Sequence, residues 1–197
     1  MSTIVAVEKS GRTVIAWESL ITIGSDCTPN LARVSKVIRS GDGAIGAAGF
    51  SLYYTILPHY VRQSPPPAFR NEQEVFEYFL KFWRALREDY SMVDDQADQE
   101  NKSPFADLDS EFLVCGVGGM FRVKEILSVS LFNRFCAIGT GASHAEGALE
   151  ILYPGVEDPV AIATQAVAVA CRYDRASGGD ICHLELGKTK RSRRRTQ

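Results

Sequence analysis

Apolar and polar positions follow two different periods along the chain. Short segments rich in β-branched and small apolar residues, separated by turn signals such as Ser10-Gly11, indicate β-strands; longer segments with apolar residues three or four apart indicate helices. The predicted strands are 3–8, 12–17, 20–24, 36–39, 44–49, 111–117, 120–125, 126–132, 135–138 and 180–186. The predicted helices are 50–62, one that begins at 71, 143–152 and 159–173. Segregated strands and paired helices predict an α+β fold, with helices covering the outer faces of two antiparallel sheets.

Local signals define the helix ends. Asn71, with Glu74 three residues later, resembles a capping box, and Pro154-Gly155 is expected to end the third helix. The buried face of the second helix is predicted from its apolar spacing. That face comprises Val75, Phe76, Phe79, Leu80, Trp83 and Leu86. The acidic, polar segment 94–109 is expected to be a mobile loop.

Composition narrows the class of protein. The 197 residues suffice for one domain, predicted over 1–187, followed by a basic tail at 188–197 that is expected to be disordered. A formal net charge of −2 argues against nucleic-acid or anionic-membrane binding by the whole chain, although the tail alone could contact nucleic acid or an acidic partner. No apolar run reaches the length of a membrane span, and we expect no secretory signal. Five cysteines without a CxxC pair are expected to be reduced thiols, so the sequence predicts a cytoplasmic protein.

Candidate chemistry lies at the N-terminus. Removal of Met1 would leave Ser2 with both a hydroxyl group and a free α-amine, whose pKa of about 7.7–8.0 allows it to accept the hydroxyl proton near neutral pH. An ordinary N-terminus is the alternative. Glu18 follows strand-like sequence, so this acid lies either on a solvated face or in a specific role. The small-residue strand 45–49 is of the type that allows another backbone or a ligand to approach closely.

Four motifs together resemble the proteasome β-subunit family of N-terminal nucleophile hydrolases. Ser2-Thr3-Ile4-Val5-Ala6-Val7, with a glycine turn and an acid two residues after Val14-Ile15-Ala16, is similar to the opening hairpin of the family. Ile45-Gly46-Ala47-Ala48-Gly49 resembles its cleft strand, Ile138-Gly139-Thr140-Gly141 its Gly-Ser-Gly element, and Asp174-Arg175-Ala176-Ser177-Gly178 its Asp-x-x-Ser-Gly turn. The likeness extends from Ser2 to about residue 186 and is greatest to the betaproteobacterial proteasome-homologue branch. It implies a four-layer αββα sandwich.

The resemblance also assigns catalytic roles. Ser2 takes the position of the family's nucleophilic threonine, and Glu18 that of the acid that orients a catalytic lysine. Lys36 is the predicted lysine. Arg33 is a competing alignment that would weaken the assignment, because arginine does not release a proton at working pH.

Further site residues follow from the same resemblance. Gly46 matches the glycine whose backbone N–H forms the oxyanion hole, and Leu20 and Ile45 are candidates for an apolar substrate pocket. The polar residues expected around the terminal amine are Thr140, Asp174 and Ser177. The isolated histidines, His59, His144 and His183, are interpreted as structural or exposed.

The implied function is hydrolysis of peptide bonds in peptide or unfolded-protein substrates, without a cofactor or metal. The resemblance implies a homo-oligomer of stacked rings, of six or seven subunits each, and an ATP-dependent unfoldase as a possible partner. Because serine lacks the β-methyl group of threonine, we expect a slow or narrowly specific peptidase. The alternatives are an N-terminal nucleophile amidase acting on small amides, and a catalytically inactive ring or scaffold.

Overall fold

The chain forms four layers, with two antiparallel sheets between two pairs of helices. The computed structural model describes residues 2–23, 26–28, 35–90 and 108–187. Its strands are β1 Ile4–Lys9, β2 Arg12–Glu18, β3 Ile21–Ile23, β4 Asp26–Thr28, β5 Val37–Ser40, β6 Gly43–Gly49, β7 Ser110–Gly116, β8 Gly119–Val123, β9 Val129–Phe132, β10 Phe135–Ile138 and β11 Ile181–Leu186. Its helices are α1 Tyr53–Gln63, α2 Glu72–Glu88, α3 Ala142–Gly155 and α4 Pro159–Tyr173. The predicted αββα sandwich is confirmed.

The first sheet has the order β10-β1-β2-β11 and carries the N-terminus on a central strand. Ser10 and Gly11 both have positive φ, as a tight hairpin turn between β1 and β2 requires. Alternate residues of β1 then face opposite layers. Val5 and Val7 pack against α3 and α4, whereas Ile4 and Ala6 face the second sheet.

The second sheet has the order β5-β6-β7-β8-β9, and its outer face is covered by α1 and α2. The small residues of β6 let the two sheets approach closely. A Cβ added to Gly46 would lie 3.1 Å from the Ile4 side chain of the other sheet. The aromatic core under α1 and α2 is built from edge-to-face rings, such as Tyr53 against Phe112.

Several predicted bounds differ from the structure. Helix α3 continues through Pro154 to Gly155; proline lies in the last turn, where few backbone hydrogen bonds remain to be lost. Phe76 is 37% exposed, while Tyr78 and Phe82 are buried, so the predicted stripe on α2 was partly wrong. All but the last two residues of the predicted loop 94–109 lie outside the described residues, as does the tail 188–197.

The described helices are all too short or too polar to cross a membrane. Cys115 and Cys136 are buried free thiols, and Cys171 and Cys182 are half-buried free thiols.

Candidate active site

The β1–β2 hairpin brings Glu18 next to the N-terminal residues. Ile4 pairs with Trp17, so continuation of the register places Thr3 opposite Glu18 at the end of the ladder. The Thr3 backbone N–H donates to Glu18 Oε1 over 3.1 Å. Glu18 is fully buried, which excludes the solvated face that the sequence left open.

Glu18 and Lys36 form a buried ion pair. Lys36 Nζ donates to Glu18 Oε1 and also to the Leu20 carbonyl oxygen, at 2.5 Å. The other oxygen, Glu18 Oε2, accepts from the backbone N–H groups of Leu20 at 2.8 Å and Gly178 at 3.2 Å. Burial lowers the pKa of Lys36, and the Glu18 carboxylate opposes that decrease. The lysine ammonium is thereby fixed beside the N-terminal segment.

A second polar group reaches the same segment from the opposite side. Thr140 Oγ1 and Ser177 Oγ both donate to Asp174 Oδ2, over 2.7 and 2.6 Å. Ser177 Oγ is also 2.7 Å from Thr3 Oγ1. Because a serine hydroxyl has one proton, and Ser177 gives it to Asp174, Thr3 must be the donor in that contact. Burial alone would raise the pKa of Asp174, but the hydrogen bonds from Ser177 and Thr140 hold it below its ordinary value.

Glycine is required where this group meets the N-terminus. A Cβ on Gly141 would lie 2.1 Å from Thr3 Oγ1, and a Cβ on Gly139 would lie 2.0 Å from the Ser2 carbonyl oxygen. Gly139 also has φ +91°. The Gly-Thr-Gly element therefore makes room for the first two described residues.

The Ser2 side chain contacts a residue that the sequence did not single out. Ser2 is buried, and its Oγ lies 3.0 Å from the phenolic oxygen of Tyr54 in the first turn of α1. Burial raises the pKa of Tyr54 above its ordinary value, although the hydrogen bond with Ser2 opposes this. The phenol is therefore neutral and protonated at neutral pH. No pattern in the sequence links Tyr54 to Ser2, which is 52 positions away.

The prediction that Gly46 supplies the oxyanion-hole N–H is wrong. Ala47 N–H donates to the Lys36 carbonyl oxygen, so it points toward β5. N–H groups of successive strand residues point to opposite edges, and the Gly46 N–H therefore faces its partner Leu113 on β7. It lies inside the sheet, where a substrate does not reach it.

Gly49 has the orientation that the role needs. It ends β6 and lies two residues after Ala47, so its N–H points to the same side, at a level beyond the last β5 partner. Its φ is +147°, and an added Cβ would lie 2.2 Å from Ser110 Oγ, so only glycine fits. The sequence shows both glycines but not which edge of the sheet each one faces.

The structure unites six of the seven predicted site residues around the N-terminal segment, namely Ser2, Glu18, Lys36, Thr140, Asp174 and Ser177. The alternative lysine position, Arg33, and Met1 both lie outside the described residues. In the part of the chain that the structure describes, no cluster of His, Cys, Asp and Glu is arranged to hold a metal ion.

The fold and this arrangement define the class of proteasome-type N-terminal nucleophile hydrolases. No protein-family model matches the sequence, and no curated protein does so either. Among solved structures, the chain is similar to the bacterial proteasome homologue BPH of Thiobacillus denitrificans in complex with epoxomicin. The identity is 25% and the TM-score 0.83, over 94% of this chain and 98% of that one.

Two further structures have the same fold. A second structure of Thiobacillus denitrificans BPH gives a TM-score of 0.85 at 24% identity, over 96% of this chain and all of that one. The eukaryotic HslV from Trypanosoma brucei gives a TM-score of 0.66 at 19% identity, over 93% of this chain and 98% of that one. The resemblance to the proteasome family and its betaproteobacterial branch is confirmed, and the similarity supports a peptidase of the proteasome type.

Proposed function

We propose that the chain is a proteasome-like endopeptidase whose nucleophile is Ser2, made N-terminal by removal of Met1. The observation that carries this proposal is the buried Glu18–Lys36 pair, which contacts the backbone at Thr3, directly after Ser2. A buried ion pair is expensive to maintain unless it is well satisfied, and here its contacts lead to the one residue that could become an N-terminal nucleophile.

The proposed reaction is an acyl transfer. The free α-amine of Ser2 takes the proton from its own hydroxyl as the oxygen attacks the scissile carbonyl carbon. The resulting ammonium then gives that proton to the leaving amine, and water later hydrolyses the ester formed on Ser2. The positive charge of Lys36 favours the developing alkoxide, and Asp174 with Ser177 and Thr140 provides the polar surroundings of the amine.

We assign the oxyanion hole to the backbone N–H of Gly49, in place of Gly46. A donor aimed at the developing oxyanion typically contributes about a hundredfold or more in rate. The edge of β6 beyond Ala47 also suits an extended substrate, which would pair with it as an added strand. The substrate is therefore a peptide or an unfolded protein, and Leu20 and Ile45 remain our candidates for its apolar pocket.

The proposal includes assembly. We expect a homo-oligomer of stacked rings in the cytoplasm, with an ATP-dependent unfoldase as a possible partner. A ring arises when a head-to-tail interface closes on itself.

The first test is the intact mass of the purified protein, followed by cleavage assays with fluorogenic peptides, casein and small amides. We expect loss of Met1 and cleavage of peptides that Ser2→Ala abolishes. Epoxomicin, which the Thiobacillus denitrificans protein binds in its structure, should inhibit this cleavage. The matched control is Ser51→Ala, an alteration of a second hydroxyl residue near the end of β6, which should retain activity within about twofold.

Other outcomes distinguish the alternatives. Turnover of small amides without cleavage of peptides or casein would replace the proposal with an amidase. Uniform retention of Met1 together with inactivity would leave Ser2 without an α-amine and would contradict the proposed mechanism.

A further inference from the structure

Tyr54 is the described side chain whose hydroxyl lies at hydrogen-bond distance from the nucleophile oxygen. The distance from its phenolic oxygen to Ser2 Oγ is 3.0 Å. Tyr54 is the second residue of α1, and the start of that helix is firmly held. The adjacent Tyr53 donates its hydroxyl to the Leu108 carbonyl oxygen over 2.7 Å and packs edge-to-face on Phe112. The phenol of Tyr54 is therefore presented to Ser2 from a rigid support.

A serine nucleophile needs such a contact more than a threonine nucleophile does. Serine has one heavy atom on Cβ and three accessible χ1 rotamers, whereas the β-branched threonine is restricted. A hydrogen bond of ordinary strength favours one rotamer over the others by roughly two- to tenfold. The contact serves this purpose whichever of the two hydroxyl groups is the donor.

We propose that Tyr54 is a positioning residue, which holds the Ser2 hydroxyl in the attacking orientation and so replaces the restraint that a threonine methyl group provides. The inference rests on the proposed function, in which Ser2 is the nucleophile. It predicts that the contribution of Tyr54 depends on which residue occupies position 2.

The test is a double-mutant cycle of four proteins: the unaltered chain, Tyr54→Phe, Ser2→Thr and the double variant. In the unaltered background, we expect Tyr54→Phe to lower kcat roughly fivefold to tenfold at nearly constant KM, because a rotamer restraint of ordinary hydrogen-bond strength is lost. In the Ser2→Thr background, the same change should lower kcat less than twofold. Equal losses in both backgrounds, or no loss in the unaltered background, would overturn the proposal.

The chain offers a matched control. Tyr90 also gives its hydroxyl to a hydrogen bond with α1, at 2.6 Å from His59 Nδ1, but it does not contact Ser2. Tyr90→Phe should leave kcat within about twofold in both backgrounds. A loss as large as that of Tyr54→Phe would mean that the support of α1, not contact with Ser2, sets the rate, and would overturn the proposal.

A second readout is independent of activity. High-resolution crystal structures of the unaltered chain and of Tyr54→Phe should show one Ser2 rotamer in the former and two or more in the latter. A single unchanged rotamer in Tyr54→Phe would refute positioning by Tyr54. If the rotamers change as expected but no variant cleaves peptides, the proposed function fails and the contact stands.

Discussion

At the scale of single residues, the two members of the buried ion pair are not equivalent. Glu18 accepts from Lys36 and from the backbone N–H groups of Thr3, Leu20 and Gly178. Lys36 donates only to Glu18 and the Leu20 carbonyl oxygen among the described contacts. Removal of the acid therefore leaves more buried polar groups without a partner than removal of the lysine does.

We predict that Glu18→Leu destabilises the protein by about 3–5 kcal/mol, because it leaves a buried ammonium group and three backbone N–H groups without their acceptor. Lys36→Met should cost only about 1–3 kcal/mol, because the carboxylate keeps its three backbone donors. Urea unfolding at matched protein concentration measures both. A larger loss for Lys36→Met than for Glu18→Leu would show that the lysine, not the acid, organises the site.

Asp174 gives a prediction for the dependence of stability on pH. Its folded-state pKa lies below the ordinary aspartate value of about 3.9, so its ionised form contributes stability that is complete above that value. That contribution disappears as the pH falls through the lower, folded-state pKa. Asp174→Asn should therefore be less stable than the unaltered chain at pH 7, and the difference should shrink below about pH 4.

Urea unfolding at pH 7, 4 and 3 checks this expectation. Asp180→Asn, which alters an exposed aspartate in the same turn region, controls for the change in net charge. A constant difference between Asp174→Asn and the unaltered chain across the three pH values would contradict the assignment.

At the scale of elements, the two glycines of β6 differ in what surrounds them. A Cβ on Gly46 would meet flexible ends of the Ile4 and Val37 side chains at 3.1–3.4 Å. A Cβ on Gly49 would meet Ser110 Oγ at 2.2 Å and the Asp109 carbonyl oxygen at 2.6 Å, and φ there is +147°. The first neighbours can shift by tenths of an ångström, but the backbone neighbour cannot.

We predict that Gly46→Ala destabilises the protein by about 1 kcal/mol and Gly49→Ala by more than about 3 kcal/mol. Thermal and urea unfolding of the two variants provide the measurement, and each serves as the control for the other. Similar losses would mean that β6 adapts at its end, and would weaken the assignment of Gly49 as a rigid oxyanion donor.

The elements also show what the sequence could and could not predict. Glu18 and Lys36 were found because each lies at a fixed distance from a hairpin turn, and hairpins were readable from their alternation and glycines. Gly46 was chosen wrongly because a strand's period of two decides which edge each N–H faces, and the sequence does not show where the neighbouring strand ends. Tyr54 was missed because its contact with Ser2 depends on packing between α1 and the first sheet.

The second helix teaches the same lesson about packing. Asn71 Oδ1 caps it by accepting from Glu74 N–H at 2.9 Å, as predicted. The Glu74 side chain, however, accepts from the backbone N–H of Arg70, not from that of Asn71. Apolar spacing located the helix, but the choice between Phe76 and Tyr78 for the core was made by the sheet beneath it.

At the scale of the whole molecule, exposed apolar side chains indicate where copies of the chain would meet. Ile151 is 82% exposed and Tyr173 is 70% exposed, and both line a groove of about 620 Å³ between α3 and α4. This is the outer face of the first sheet's helix layer, away from α1 and the second sheet. Large exposed apolar groups that share one face commonly mark an interaction surface.

If the proposed ring assembly uses this face, a charge placed there should break it. We predict that the unaltered chain has a solution mass that is a large multiple of 21.7 kDa, measured by native mass spectrometry, and that Ile151→Lys shifts the mass to smaller assemblies. The matched control is Val117→Lys, at a 38% exposed apolar residue in the turn between β7 and β8. An unchanged mass for Ile151→Lys would place the contact elsewhere, and a monomeric unaltered chain would contradict the ring itself. Assembly matters for the chemistry because a proteolytic site as open as the β6 edge needs enclosure to spare folded proteins, and only neighbouring copies could supply it.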